Sequence, residues 1–144
     1  MKKNQLIISI AAAVLSSGCA FTPSYQVPKG YPVAKLNLDS SGSKWICVSG
    51  QRQQLIPDTT GYAEIAAGNR ITIGISYSGA QYGSVNLSCN PRSSIIPKEG
   101  QAYFIDFQVE ASWCTAILFK EDPAKRTGLS IEPTLAPSSE CEAR

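Results

Sequence analysis

Between residues 33 and 120, apolar side chains recur at every second position, and short clusters of Gly, Pro, Asn, Asp and Ser interrupt them. A period of two predicts strands with one buried and one wet face. Arg70–Ser78 is the plainest case: Ile71, Ile73, Ile75 and Tyr77 share one side, and Thr72, Gly74, Ser76 and Ser78 the other. Further strands are expected at Val33–Leu38, Lys44–Val48, Gln53–Ile56, Tyr62–Ala66, Ser84–Cys89, Gln101–Glu110 and Ser112–Lys120. Within Gln101–Glu110, Tyr103, Ile105, Phe107 and Val109 alternate with Phe104, Asp106, Gln108 and Glu110. Turns are expected at Asp39–Gly42, Ser49-Gly50, Pro57–Gly61 and Gly68-Asn69, the last as a tight hairpin. Gly79–Gly83 reads as a loop with Gln81 and Tyr82 at its tip, a candidate contact site. Asn90–Gly100, with Pro91 and Pro97, reads as an irregular connection. No long window carries a helical apolar stripe. The expected fold is all-β: a small antiparallel β-sandwich of seven to eight strands, with Ile, Val, Tyr, Phe and Trp inward. A small barrel would bury a similar amount.

The flanks are patterned differently. Lys2 and Lys3 precede an uncharged apolar run, Leu6–Leu15, too short to cross a bilayer. Small residues Ser16, Ser17 and Gly18 follow, so residues 1–18 are expected to be a secretory signal peptide. Residues 19–32 carry Pro23, Pro28 and Pro32, which disfavour helix and predict an extended tether with a reach of about 40 Å. The sandwich is assigned to 33–120. Residues 121–144 form a Pro-rich tail with one edge strand expected at Leu129–Glu132.

Leu15-Ser16-Ser17-Gly18-Cys19 resembles the lipobox of bacterial lipoproteins, with Ser16 where leucine is usual. The resemblance implies cleavage before Cys19 and lipidation of its thiol and new amino terminus, palmitate included. Ala20 then implies sorting to the outer membrane, with the domain facing the periplasm. The turn-rich β pattern further resembles small sandwich lipoproteins of immunoglobulin-like or PEGA-like form.

Loss of the signal changes the charge. The chain has thirteen basic and eleven acidic residues, and removing Lys2 and Lys3 leaves eleven of each. Without a basic excess, nucleic acid is not an expected partner. Cys47, Cys89, Cys114 and Cys141 remain once Cys19 is lipidated. Four thiols in an oxidising compartment predict two disulfides among three pairings. The favoured pairing is Cys89–Cys114, joining two strands of one sheet, with Cys47–Cys141 clipping the tail to the domain. The spacings are too wide for a zinc site, so no metal or cofactor is expected.

Histidine is absent, which removes the usual base for Ser or Cys nucleophiles. Ser41-Gly42-Ser43-Lys44 matches an S-x-x-K string, yet sits in a turn rather than on a helix. Asp106 and Glu110 share one strand face about 13 Å apart, beyond glycosidase range. The chain is therefore expected to be a non-catalytic envelope lipoprotein, membrane-bound through Cys19 and acting by contact with a protein. The alternatives are an inhibitor of the lysozyme-inhibitor kind, inserting the Asp58–Gly61 or Gly79–Gly83 loop, and a subunit of a trans-envelope secretion machine.

Overall fold

The computed structural model describes residues 22–82, 85–110, 113–138 and 141, the side chains of 80–87 excepted. The proposed signal peptide and Cys19 fall outside the described residues. Ten strands follow one another: β1 Val33–Asn37, β2 Ser43–Val48, β3 Gln51–Gln54, β4 Tyr62–Ala66, β5 Ile71–Tyr82, β6 Val85–Cys89, β7 Arg92–Ile95, β8 Ala102–Glu110, β9 Trp113–Glu121 and β10 Leu129–Ile131. The first sheet runs β10-β9-β8-β1-β4, and the second β3-β2-β5-β6 with β7 also on β5. Two separate sheets make a β-sandwich.

Alternation becomes burial across the interface. The first sheet sends in Ala34, Leu36, Ala63, Ile65, Tyr103, Ile105, Ala116 and Leu118, and the second sends in Ile46, Ile73, Ile75 and Ile95. Isoleucine's branched side chain suits a pleated, packed surface. Tyr103 is wholly buried, and its hydroxyl accepts the Lys98 amide at 2.9 Å. Tyr77 and Phe107 extend the core toward one end, with ring centroids 5.1 Å apart.

Several expectations are corrected. The named strands pair antiparallel except β1 and β8, which run parallel, and Ser24 forms an isolated parallel bridge with Gln54. Gly68-Asn69 does not close a hairpin: β4 lies in the first sheet and β5 in the second, so the chain crosses between layers there. Ser49-Gly50 does close one. Both residues have positive φ (51° and 80°), and Val48 faces Gln51 across the two-residue turn. The Asn90–Gly100 connection contains β7. Tyr77 faces Cys89 and Gly74 faces Arg92 in one register, and the Ile75 amide donates to the Pro91 carbonyl at 2.9 Å. β6 and β7 are thus one line of chain, broken only where proline lacks a donor.

Neither tryptophan enters the core. Trp45 lies opposite Gly74 on the outer side of the second sheet, and Trp113 is 61% exposed at the start of β9. Both flanks dock onto the sandwich. The Gln54 amide donates to Pro23, the Tyr25 amide to Gln54 and the Ala67 amide to Pro32, at 2.8–2.9 Å. The stretch from 23 to 32 therefore does not span the expected 40 Å. On the other flank, Ser94 and Ala136 exchange two backbone bonds.

Candidate functional site

The expected contact residues come first. Gln81 and Tyr82 belong to β5 and face Asn86 and Val85 of β6, so they lie in paired strand rather than in a loop. The register shift between Gly79 and Gln81 marks a bulge that lengthens the strand. Their side chains lie outside the described residues.

Cys47 is bonded to Cys141, with Cα atoms 5.9 Å apart. This holds the tail on the outer side of the second sheet. Cys89 is bonded to Cys114, with Cα atoms 6.2 Å apart. That bond joins β6 of the second sheet to β9 of the first, not two strands of one sheet as expected. Beside it the Ser93 hydroxyl crosses the same gap to the Ala116 carbonyl at 2.7 Å. The sandwich is thereby stitched along one side.

The residues with catalytic resemblance are engaged elsewhere. Lys44 is 4% exposed, and its ammonium donates to the carbonyls of Leu38, at 2.9 Å, and Ser40. Burial pulls its pKa down, against the opposing charges of Asp106 and Asp39. Asp58 folds its own loop. Its Oδ1 accepts the Thr60 hydroxyl at 2.6 Å, the Thr60 amide at 2.7 Å and the Tyr62 amide at 3.2 Å. Those bonds, the Thr60 hydroxyl foremost, hold its carboxyl below the usual range. A carboxylate so occupied is poorly placed to enter a partner's cleft. Among the described residues no cluster of three His, Cys, Asp or Glu could hold a metal ion.

The two outer faces differ sharply. On the second sheet, Trp45 covers Gly74, and the Arg52 guanidinium stacks over the indole at 4.2 Å. Arg52 Nε donates to the Cys141 carbonyl at 3.2 Å, so tail, cation and ring close over the sheet. A small cavity of about 240 Å³ remains, lined by Thr22, Ser43, Lys44, Trp45, Arg52, Gln54 and Ser76.

On the first sheet, the register aligns Tyr62, Asn37, Phe104, Phe119 and Ile131 in a row across all five strands. Strand alternation puts this row outside, opposite the buried Leu36, Tyr103 and Leu118. Phe104 and Phe119 stack at 6.4 Å, half-buried, and Ile131 is 61% exposed. Ile117 and Leu129 widen the apolar area. At one end the Tyr62 hydroxyl donates to Glu121 at 2.6 Å, which raises the tyrosine's pKa, burial adding to the effect.

The row ends at an open strand edge. Glu132 donates to Leu118, and Asp122 to Gly128, so alternation turns the backbone of Leu129 and Ile131 away from β9, where the Leu129 carbonyl accepts the Thr127 hydroxyl at 3.0 Å. Three edges are covered by other parts of the chain: β3 by Pro23–Tyr25, β7 by Ala136, and β4 by Asp58 and the Tyr25 hydroxyl. Sequence reading placed Phe104 on an outer face but missed Phe119 and Ile131. The signal was available in SWCTAILFK, where Ala116 and Leu118 on one face and Ile117 and Phe119 on the other are all apolar. Comparison with protein-family models, curated proteins and solved structures finds no match to this chain.

Proposed function

We propose that the protein is a non-catalytic lipoprotein of the bacterial envelope, anchored through Cys19 in the outer membrane, which binds a protein partner on the outer face of its first sheet. The observation that carries this reading is the row Phe104, Phe119 and Ile131 running out to the open edge of β10. Aromatic and aliphatic side chains supply contact area, and the outward backbone of Ile131 at the edge of β10 is placed to pair with a partner segment. The anchor rests on the lipobox resemblance, and the absence of histidine argues against acid–base chemistry.

In-cell photocrosslinking tests it, with the reactive group placed in turn at Ile131 and at exposed Glu99 on a distant turn. A discrete protein adduct from position 131 and none from position 99 is expected. Equal labelling at both, or none at either, overturns the partner. Intact mass is expected to show acyl chains on a chain beginning at Cys19, and an unmodified thiol there overturns the anchor.

A further inference from the structure

If Cys19 is acylated, the way the following segment docks decides which side of the sandwich meets the membrane; this inference rests on the proposed anchor. Thr22 already lies on the outer side of the second sheet, lining the cavity with Ser43, Trp45, Arg52, Gln54 and Ser76. From there the chain is held: Pro23 and Tyr25 bond to both backbone groups of Gln54, and the Tyr25 hydroxyl accepts the Ala66 amide at 3.3 Å. Only three peptide steps separate Thr22 from Cys19. Fully extended, they reach about 11 Å. The acyl-bearing sulfur therefore cannot be far from the cavity, whatever path residues 19–21 take.

The lining has a consistent chemistry. Arg52 supplies the cation, its Nε spent on Cys141 and its outer nitrogens still available. Ser43, Ser76 and Thr22 supply hydroxyls, and Gln54 an amide. Lys44 lines it as well, with its ammonium turned to the Leu38 and Ser40 carbonyls, and among the described residues no Asp or Glu lines the cavity. A guanidinium beside neutral donors suits a phosphodiester.

We infer that this cavity is the membrane-facing site of the protein and takes the phosphate of a phospholipid headgroup adjacent to the anchor, with Arg52 as its principal ligand. The apolar row of the first sheet, on the other side of the sandwich, is then presented away from the bilayer. The stretch from 23 to 32 acts as a strap that sets this orientation.

Two measurements decide it. Isotope-labelled lipoprotein in nanodiscs with a paramagnetic headgroup lipid should show its strongest line broadening at Thr22, Ser43 and Ser76, and little at Phe119 and Ile131. Equal broadening on both faces, or the reverse, overturns the orientation. Short-chain phosphatidylglycerol, titrated below its micelle concentration, should shift the Ser43 and Ser76 amides. Arg52→Gln should weaken that binding about tenfold, the loss expected for one charge-assisted hydrogen bond. Absent shifts, or shifts unchanged in R52Q, overturn the headgroup site. If intact mass shows that cells leave Cys19 unmodified, the anchor reading falls. The nanodisc experiment is then run on chain coupled at Cys19 to a maleimide lipid, which the four disulfide-bonded cysteines do not compete for, and reports on the strap alone.

Discussion

The two sheets of this sandwich present opposite surfaces. The outer side of the second sheet is closed by its own chain: Arg52 on Trp45, the tail at Cys141 and the segment around Pro23. The outer side of the first sheet carries an equally apolar set, and nothing in the described chain lies on it. Ile131 at 61% and Trp113 at 61% exposure contrast with Trp45 at 4%. A chain that covers one apolar face with its own termini and leaves the other bare has separated structural from interfacial hydrophobicity. Bare apolar area of this kind is the surface that the proposed partner would cover.

The sharpest way to break the contrast is to release the tail. Cys47→Ala with Cys141→Ala opens a loop of 94 residues, and the loss expected from chain entropy is about 4.7 kcal/mol. Chemical denaturation should register that loss, while amide exchange quickens around Trp45 and stays slow around Phe119. Removing Cys89 and Cys114 instead, a separation of 25, should cost about 3 kcal/mol and loosen the pairing of the two sheets.

Gly74→Ala is a smaller intrusion on the covered face. A Cβ there would overlap the Trp45 indole, so ring or strand must shift at a cost of about 2 kcal/mol. Thermal melting should fall, and tryptophan emission should move to the red as Trp45 is displaced. Unchanged emission would show that the ring does not rest on the strand.

Alkaline titration compares both faces in one sample. Tyr25 and Tyr103 are raised above 10.0 by burial, and Tyr62 chiefly by its bond to Glu121. Since the fold favours their neutral forms, their contribution is intact below pH 10 and lost as pH rises through the elevated values. Tyrosinate absorbance should therefore lag behind that of unfolded chain, and Glu121→Gln should shorten the lag for one tyrosine only.

Ile131→Lys should have the least effect on the fold, within about 0.5 kcal/mol for an exposed position. With the reactive group moved to Leu129 on the same face of β10, it should abolish the crosslinked adduct. A surviving adduct would move the contact off the apolar row.

Much of this architecture can be read from the residues, because alternation is a local property. The strand from Ile71 and the segregation of Tyr103 from Phe104 both follow from it. What stays hidden depends on distant partners. Gly68-Asn69 has turn chemistry but no way of announcing that β4 and β5 join different sheets. β7 is concealed by Pro91 and by the buried Ser93 and Ser94, on opposite faces of the strand, whose polarity is met by Ala116 and Ala136. In KWICV three successive buried residues leave the face undecided, and only a glycine across the pair explains Trp45 pointing outward. Lys44 is buried against all local expectation because two carbonyls receive its ammonium. The open face shares this difficulty, since Phe104, Phe119 and Ile131 meet only through pairing of β8, β9 and β10.

The parallel neighbour of β1 carries a temporal consequence. β1 stands between β4, which is near in sequence, and β8, which begins 65 residues after β1 ends. A polypeptide emerging amino end first can form the β2–β3 and β5–β6 ribbons early, but the first layer has a missing centre-neighbour until Ala102 and its successors arrive. Such distant partnership slows assembly. The bond to Cys141 cannot close until that residue, 94 positions after Cys47, is delivered. On the proposed route of export, this delay keeps the polypeptide threadable during its passage.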